Sequence, residues 1–349
     1  MKHTAFSSAL VALAAALPAA CSDDKSDADY RSEVVVAMHD SIGDDLADLV
    51  QAARDLQAAA PSHAWNTTTD AAAITAMRDA WRRTRVAYEH VEGATAPLFG
   101  SLDITLDARY DDYLAKLGDN GDHALFDATG VTGMHGIERI LYAPDIRAEV
   151  VTFERTLPGY EPAAFPATDE DALSFKNVLV GKLIEDTVSL HDQWKPAAID
   201  IGAAFQGLVG LMNEQKEKVN LAATGEEESR YANLTLFDLR NNLEGTRQVY
   251  EMFRPWIQSH ANGKSSDDAI QAKFTALATL YDANPGDALP PVPETWSSDK
   301  PTQADLATPF GTLWQTVHEN VDPAKDGSIV FEMNQIATLL GFKQFIEDQ

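Results

Sequence analysis

The sequence predicts an all-α protein arranged as two up-and-down helical bundles. Three observations predict it. Apolar residues recur at steps of three and four along most of the chain, the period of a helix with one buried face. No sustained alternation of apolar and polar residues marks a strand. Short turns and Pro-rich breaks separate the helical stretches, so that neighbouring helices fold back on one another.

Residues 1–20 read as an export signal. Lys2 and His3 open it, and the apolar run Ala5 to Leu17 is too short to anchor in a bilayer. Pro18-Ala19-Ala20-Cys21 resembles a bacterial lipobox, although Pro18 stands where Leu is usual. Cys21 is the sole cysteine of the 349 residues and the expected lipidation site, with ordinary secretory cleavage nearby as the alternative. Ser22 after it suits the outer membrane of a Gram-negative cell, which places the protein on the periplasmic side. Residues 21–31 are polar and acidic and read as a flexible tether. The bundles then divide as residues 32–171 and 172–349. With 54 acidic against 27 basic residues and a net charge of −27, the chain repels nucleic acid, and that partner is excluded. The same acidity suits cations, and it also serves solubility.

Met38, Ile42, Leu46, Leu49, Ala53 and Leu56 form the stripe of a first helix, which Pro61 ends. Asp70 can cap a second helix with the face Ile74, Met77, Trp81 and Tyr88. Arg85, Glu89 and Glu92 fall on or beside that face. Charges next to a buried stripe need partners or a metal. For Arg85 and Glu89 an internal i,i+4 salt bridge is the alternative to ligation. Pro97 to Gly100 breaks this helix. Asp103 and Asp107 follow, one turn apart if helical, with Asp103 as a candidate N-cap and Asp107 the better ligand. Gly118 to Gly121 reads as a loop, and Thr129-Gly130 leads to a helix starting at Gly133. On it His135 and Glu138 share a face. Gly133 and Gly136 let a neighbouring backbone come close.

From Tyr142 to about Asp171 the chain reads as irregular, with Pro144, Pro158, Pro162 and Pro166. It is long enough to be a lid, a partner surface or a domain joint. Helices then follow over Leu173–Trp194, Ile199–Val219, Leu234–Trp256 and Asp268–Tyr281. A Pro-rich, non-helical stretch covers residues 284–301. Helices over Thr302–Val321 and Ser328–Phe345 complete the chain.

Tyr88-Glu89-His90-Val91-Glu92, then Leu102-Asp103-Ile104-Thr105-Leu106-Asp107-Ala108-Arg109, then Gly133-Met134-His135-Gly136-Ile137-Glu138 follow in an order that resembles the imelysin family. The likeness is to the periplasmic iron-uptake domains of the EfeO and EfeM type. A later stretch agrees, with Gly225-Glu226-Glu227-Glu228, Arg230-Tyr231 and Leu236 to Gly245. Gly93 stands where the family usually has Pro, and Ala232-Asn233 where it has Ser-His. The likeness implies the same two-bundle fold and a metal held by Glu89, Glu92, Asp107, His135 and Glu138. Arg85, Asp103, Asp238 and Glu244 are possible supporting residues. For Asp238 and Glu244, hydrogen bonding within the core is the alternative.

Four carboxylates and one imidazole suit iron, with manganese or zinc as alternatives. No thiolate or Met cluster favours copper(I). The resulting expectation is an exported, lipid-anchored metal carrier serving an iron-transport permease. A metallopeptidase is the alternative, because the family is grouped with peptidases. However, the chain lacks His-Glu-x-x-His and His-x-x-Glu-His, and Arg139 follows Glu138. A cation-bridged binder of acidic polysaccharide is a third reading, suggested by relatives alone.

Overall fold

The computed structural model describes residues 25–110, 126–127 and 132–347. All regular structure among them is helical, and no strand occurs. None of the described helices is long and apolar enough to cross a membrane. Cys21, the signal and the loops at Gly118–Gly121 and Thr129-Gly130 lie outside the described residues.

Helix α1 spans Asp27–Ala59. Ser26 caps it, and Asp29 returns a bond to the Ser26 backbone, a capping box that satisfies two otherwise orphaned N–H groups. The expected tether therefore stops short of residue 31, because local capping extends the helix back to Asp27. Its stripe from Met38 to Leu56 is fully buried. Helix α2 spans Ala71–Leu106. Asp70 is its N-cap residue but makes no capping bond; instead it accepts from the Asn66 N–H and faces His63. The expected break at Pro97–Gly100 is a kink. Phe99 leaves helical geometry at φ −134°, ψ 38°, and the helix resumes to Leu106. Pro97 lacks the N–H for one rung of the ladder, which bends the helix without ending it.

Helix α3 spans Met134–Leu141. The stretch after it holds a 3₁₀ turn at Ala143–Asp145 and helix α4, Ala148–Glu154. Helix α5, Asp169–Ser174, runs through a π-helical turn at Phe175–Leu179 into α6, Val180–Trp194. This continuous rod crosses the expected boundary between residues 171 and 172. Then come α7 (Ile201–Leu221), α8 (Thr235–Ser259) and α9 (Gly263–Ala283). The expected helix over 302–321 is two pieces, α10 (Gln303–Leu306) and α11 (Pro309–Val321), because Thr308 caps a new helix with Pro309 in its first turn. Helix α12 covers Ile329–Leu339 and stops before Gly341, whose φ is +72°. The chain beyond lays Phe342 and Phe345 against the core.

Helices α1, α2 and α6 pack together, as do α7, α8, α9, α11 and α12; α2 also packs along α7 and α8. One hydrophobic cluster consequently runs from Met38 and Trp81 through Phe205 and Phe253 to Leu313 and Met333. The expected halves share this core.

Candidate metal centre

Arg85, Glu89 and Glu92 lie on one face of α2, at spacings of four and three. Arg85 is fully buried. Its guanidinium reaches Glu89 and Asp107, and lies 3.1 Å from Glu228 Oε1 and 3.4 Å from Asp238 Oδ1. A buried guanidinium needs this many acceptors, since an unpaired one is costly. Helix α8 supplies Asp238 and Asn242, one turn apart. It comes close to α2 at Gly245, where a Cβ would fall 2.3 Å from His90 Cα. Asn242 Nδ2 donates to Glu89 and, at 2.9 Å, to Glu92 Oε2.

The kink carries the second limb of α2 across to α3. Asp103 accepts the Tyr88 hydroxyl at 2.5 Å, and Asp107 caps the limb with its N–H on the Asp103 carbonyl. Gly133 begins α3 at φ +95°, and a Cβ there would lie 2.4 Å from the Thr105 carbonyl oxygen. Only glycine tolerates both the backbone angle and the approach. Trp81 Nε1 donates to the Met134 carbonyl at 2.9 Å and fixes the start of α3 against α2.

On α3, His135 Nδ1 lies 2.7 Å from Glu138 Oε2. Its Nε2 lies 3.3 Å from Asp107 Oδ1 and 3.5 Å from Glu228 Oε1. Candidate ligand atoms of Asp107, His135 and Glu228 all fall within 4.8 Å of one another. This is the group among the described residues that could hold a metal ion. The turn bearing Glu228 is firmly held. Glu227 pairs with Arg147, Tyr231 donates to Glu154 Oε1 at 2.7 Å, and Ala232 N–H donates to Glu138 Oε1 at 2.8 Å. Asn233 takes a left-handed φ of 57°. Arg139 joins α3 to α4 through Glu154, at 2.9 and 3.0 Å.

Of the five expected ligands, the structure brings two into this group and places three beside it. Asp107 and His135 meet as expected. Glu138 lies at the Nδ1 side of the imidazole, where a carboxylate can orient the ring. Glu89 is taken up by Arg85 and Asn242, so the salt-bridge alternative describes it. Glu92 faces Asn242 and Lys218, the latter at 3.8 Å. Glu228, not among the expected ligands, completes the group. Arg85, Asp103 and Asp238 support it. Glu244 does not, because it lies six residues past Asp238, about 120° around the helix, and is exposed.

Burial would raise Asp107 and Glu228. Arg85 and His135 for the first, and Lys218, His135 and Arg85 for the second, outweigh that and hold both below the ordinary range. Burial pushes Glu92 up to about 7 despite Lys218, and Asp238 up to about 6 despite Arg85. Burial would lower His135, but Asp107, Glu138 and Glu228 raise it well above its usual value. The arrangement is a pair of ionised carboxylates and one imidazolium whose proton occupies the space of a cation. Its donor set, two oxygens and one nitrogen, fits iron, manganese or zinc.

A groove of about 1240 Å³ is walled by α4, the 222–227 turn and the Pro-rich 284–296 stretch; Glu227 lines it, while Asp107, His135 and Glu228 do not.

The imelysin family model (peptidase M75) matches residues 42–307. The chain belongs to the imelysin family. This chain is 27% identical over 175 residues to the iron uptake system component EfeO of Escherichia coli, covering 50% of this chain and 36% of that protein. It is 30% identical over 200 residues to an EfeM/EfeO family lipoprotein of Staphylococcus aureus, covering 57% of this chain and 56% of that one. The chain thus spans between about a third and just over half of these relatives. An imelysin-like protein from Psychrobacter arcticum shares the fold, with a TM-score of 0.57 over 93% of this chain and 99% of that one, at 14% identity.

Proposed function

We propose that this protein is an exported, lipid-anchored metal-binding protein that captures iron as the binding component of an uptake system. The convergence of Asp107, His135 and Glu228 carries the reading. Iron is the cargo. The likeness to EfeO and to EfeM/EfeO lipoproteins supports both the cargo and the anchor at Cys21. Capture is favoured over hydrolysis because the carboxylates around the group are engaged: Glu138 by His135 and Ala232, Glu89 by Arg85 and Asn242, Glu92 by Asn242. A hydrolytic site needs a carboxylate or imidazole free to take a proton from bound water.

Calorimetric titration of the purified protein with iron tests this. His135→Ala and Glu228→Ala should each weaken binding by at least about tenfold. Glu89→Gln should weaken it less, because its effect passes through Arg85. Equal affinity for wild type and both alanine variants would remove the basis of the proposal.

A further inference from the structure

Lys218 on α7 is the one long basic side chain that reaches this centre from the second group of helices, among the described residues. It is 6% exposed. Its Nζ donates to Asn242 Oδ1 at 3.1 Å and lies 3.4 Å from Glu228 Oε2 and 3.8 Å from Glu92 Oε2. Arg85 faces the other oxygen of Glu228, Oε1, at 3.1 Å. Glu228 is therefore clasped by a cation on each oxygen. The two clasps differ. Arg85 spreads its contacts over four carboxylates and is fixed by a planar fork. Lys218 is a point charge on a flexible stem, and its contacts to Glu228 and Glu92 are longer than an ordinary hydrogen bond.

We infer that Lys218 is a built-in competitor for the metal, whose ammonium holds Glu228 when the cation is absent and must give way when it binds. This rests on the proposed metal-binding function and adds a residue that sets affinity and release. An incoming cation takes Glu228 as a ligand and repels the ammonium. Lys218 keeps Asn242 Oδ1 at 3.1 Å and Glu92 Oε2 at 3.8 Å as partners when it gives up Glu228. The device keeps binding weaker than the bare acidic cluster would give, which suits a protein that must hand its cargo on.

The test titrates wild type, Lys218→Met, Lys218→Gln and Lys218→Arg with zinc(II), a redox-inert probe. Met keeps the apolar stem, and Gln keeps a hydrogen bond to Asn242. Both remove the charge and should tighten zinc binding by about tenfold, the lower end of changes just outside a ligand shell. Arg restores the charge and should return the affinity toward wild type. A merely structural lysine predicts weakening in Met and Gln. Equal or weaker zinc binding in folded Met and Gln variants, beside a wild type that binds, overturns the inference alone. Silence in every protein overturns the metal-binding reading with it. The crystal structure of zinc-loaded wild type tests the point without any variant: Lys218 Nζ should have left Glu228, and a retained contact overturns the inference.

Discussion

His135 carries the proton balance of the centre. Its raised pKa, the work of Asp107, Glu138 and Glu228 against burial, keeps the imidazole charged at neutral pH when no metal is present. A metal needs the neutral ring, so binding must expel this proton. Titrations in buffers of different ionisation heat should show proton release at pH 7. Affinity should go on rising with pH beyond the ordinary histidine range rather than levelling off near 6.5. His135→Ala should abolish most of that release. At this scale the sequence was half legible. Asp107 and His135 could be read because helical spacing and a chain break framed them. Glu228 could not be singled out. It is the last of three consecutive glutamates in an irregular turn, where the helical period gives no way to choose which one faces inward. Glu138 shared the right face, but helical spacing does not tell that its carboxylate meets the imidazole Nδ1 while Asp107 and Glu228 meet Nε2.

At the scale of elements, α3 is placed by a single backbone requirement at Gly133. Gly133→Ala would force a Cβ onto the Thr105 and Leu106 carbonyls at a φ of +95°. It should destabilise the protein by roughly 1–3 kcal/mol and weaken metal binding, since His135 moves with α3. Chemical denaturation together with metal titration checks both. The helices themselves were legible because each buries a stripe at the helical period. Their ends were less so. The kink at Phe99, the split before Pro309 and the cap at Ser26 depend on tertiary fit or on one capping bond, and apolar periodicity carries neither.

For the whole molecule, the buried carboxylates set the direction of the pH dependence. Glu92 and Asp238, raised to about 7 and about 6 chiefly by burial, bind protons in the folded state that the unfolded chain has already lost. Folded protein thus holds more protons between about pH 4.5 and 7, and stability falls as pH rises through that window. His135 acts in the same direction at higher pH. The lowered Asp107 and Glu228 act oppositely, but only as pH falls below the ordinary carboxylate range. Metal-free protein should melt at a lower temperature at pH 7.5 than at pH 5.5. Saturating metal should reverse that order at pH 7.5, adding about 2.7 kcal/mol at a hundredfold excess over Kd. Melting curves with and without chelator decide it. The division into halves at residue 171 was the least legible feature, because stripes show that a face is buried but not against which helix.

The unbroken rod from Asp169 to Trp194 has a kinetic consequence. A binding protein that opens like a clamshell needs a seam and a hinge. Here helix spans the place where the hinge would stand, and one apolar core joins both sides. An ion bound as proposed would then enter and leave by side-chain rearrangement around Asp107, His135 and Glu228. The radius of gyration from X-ray scattering should be the same loaded and empty, and the rate of metal release should be set by side chains such as Lys218 rather than by the swing of one half against the other.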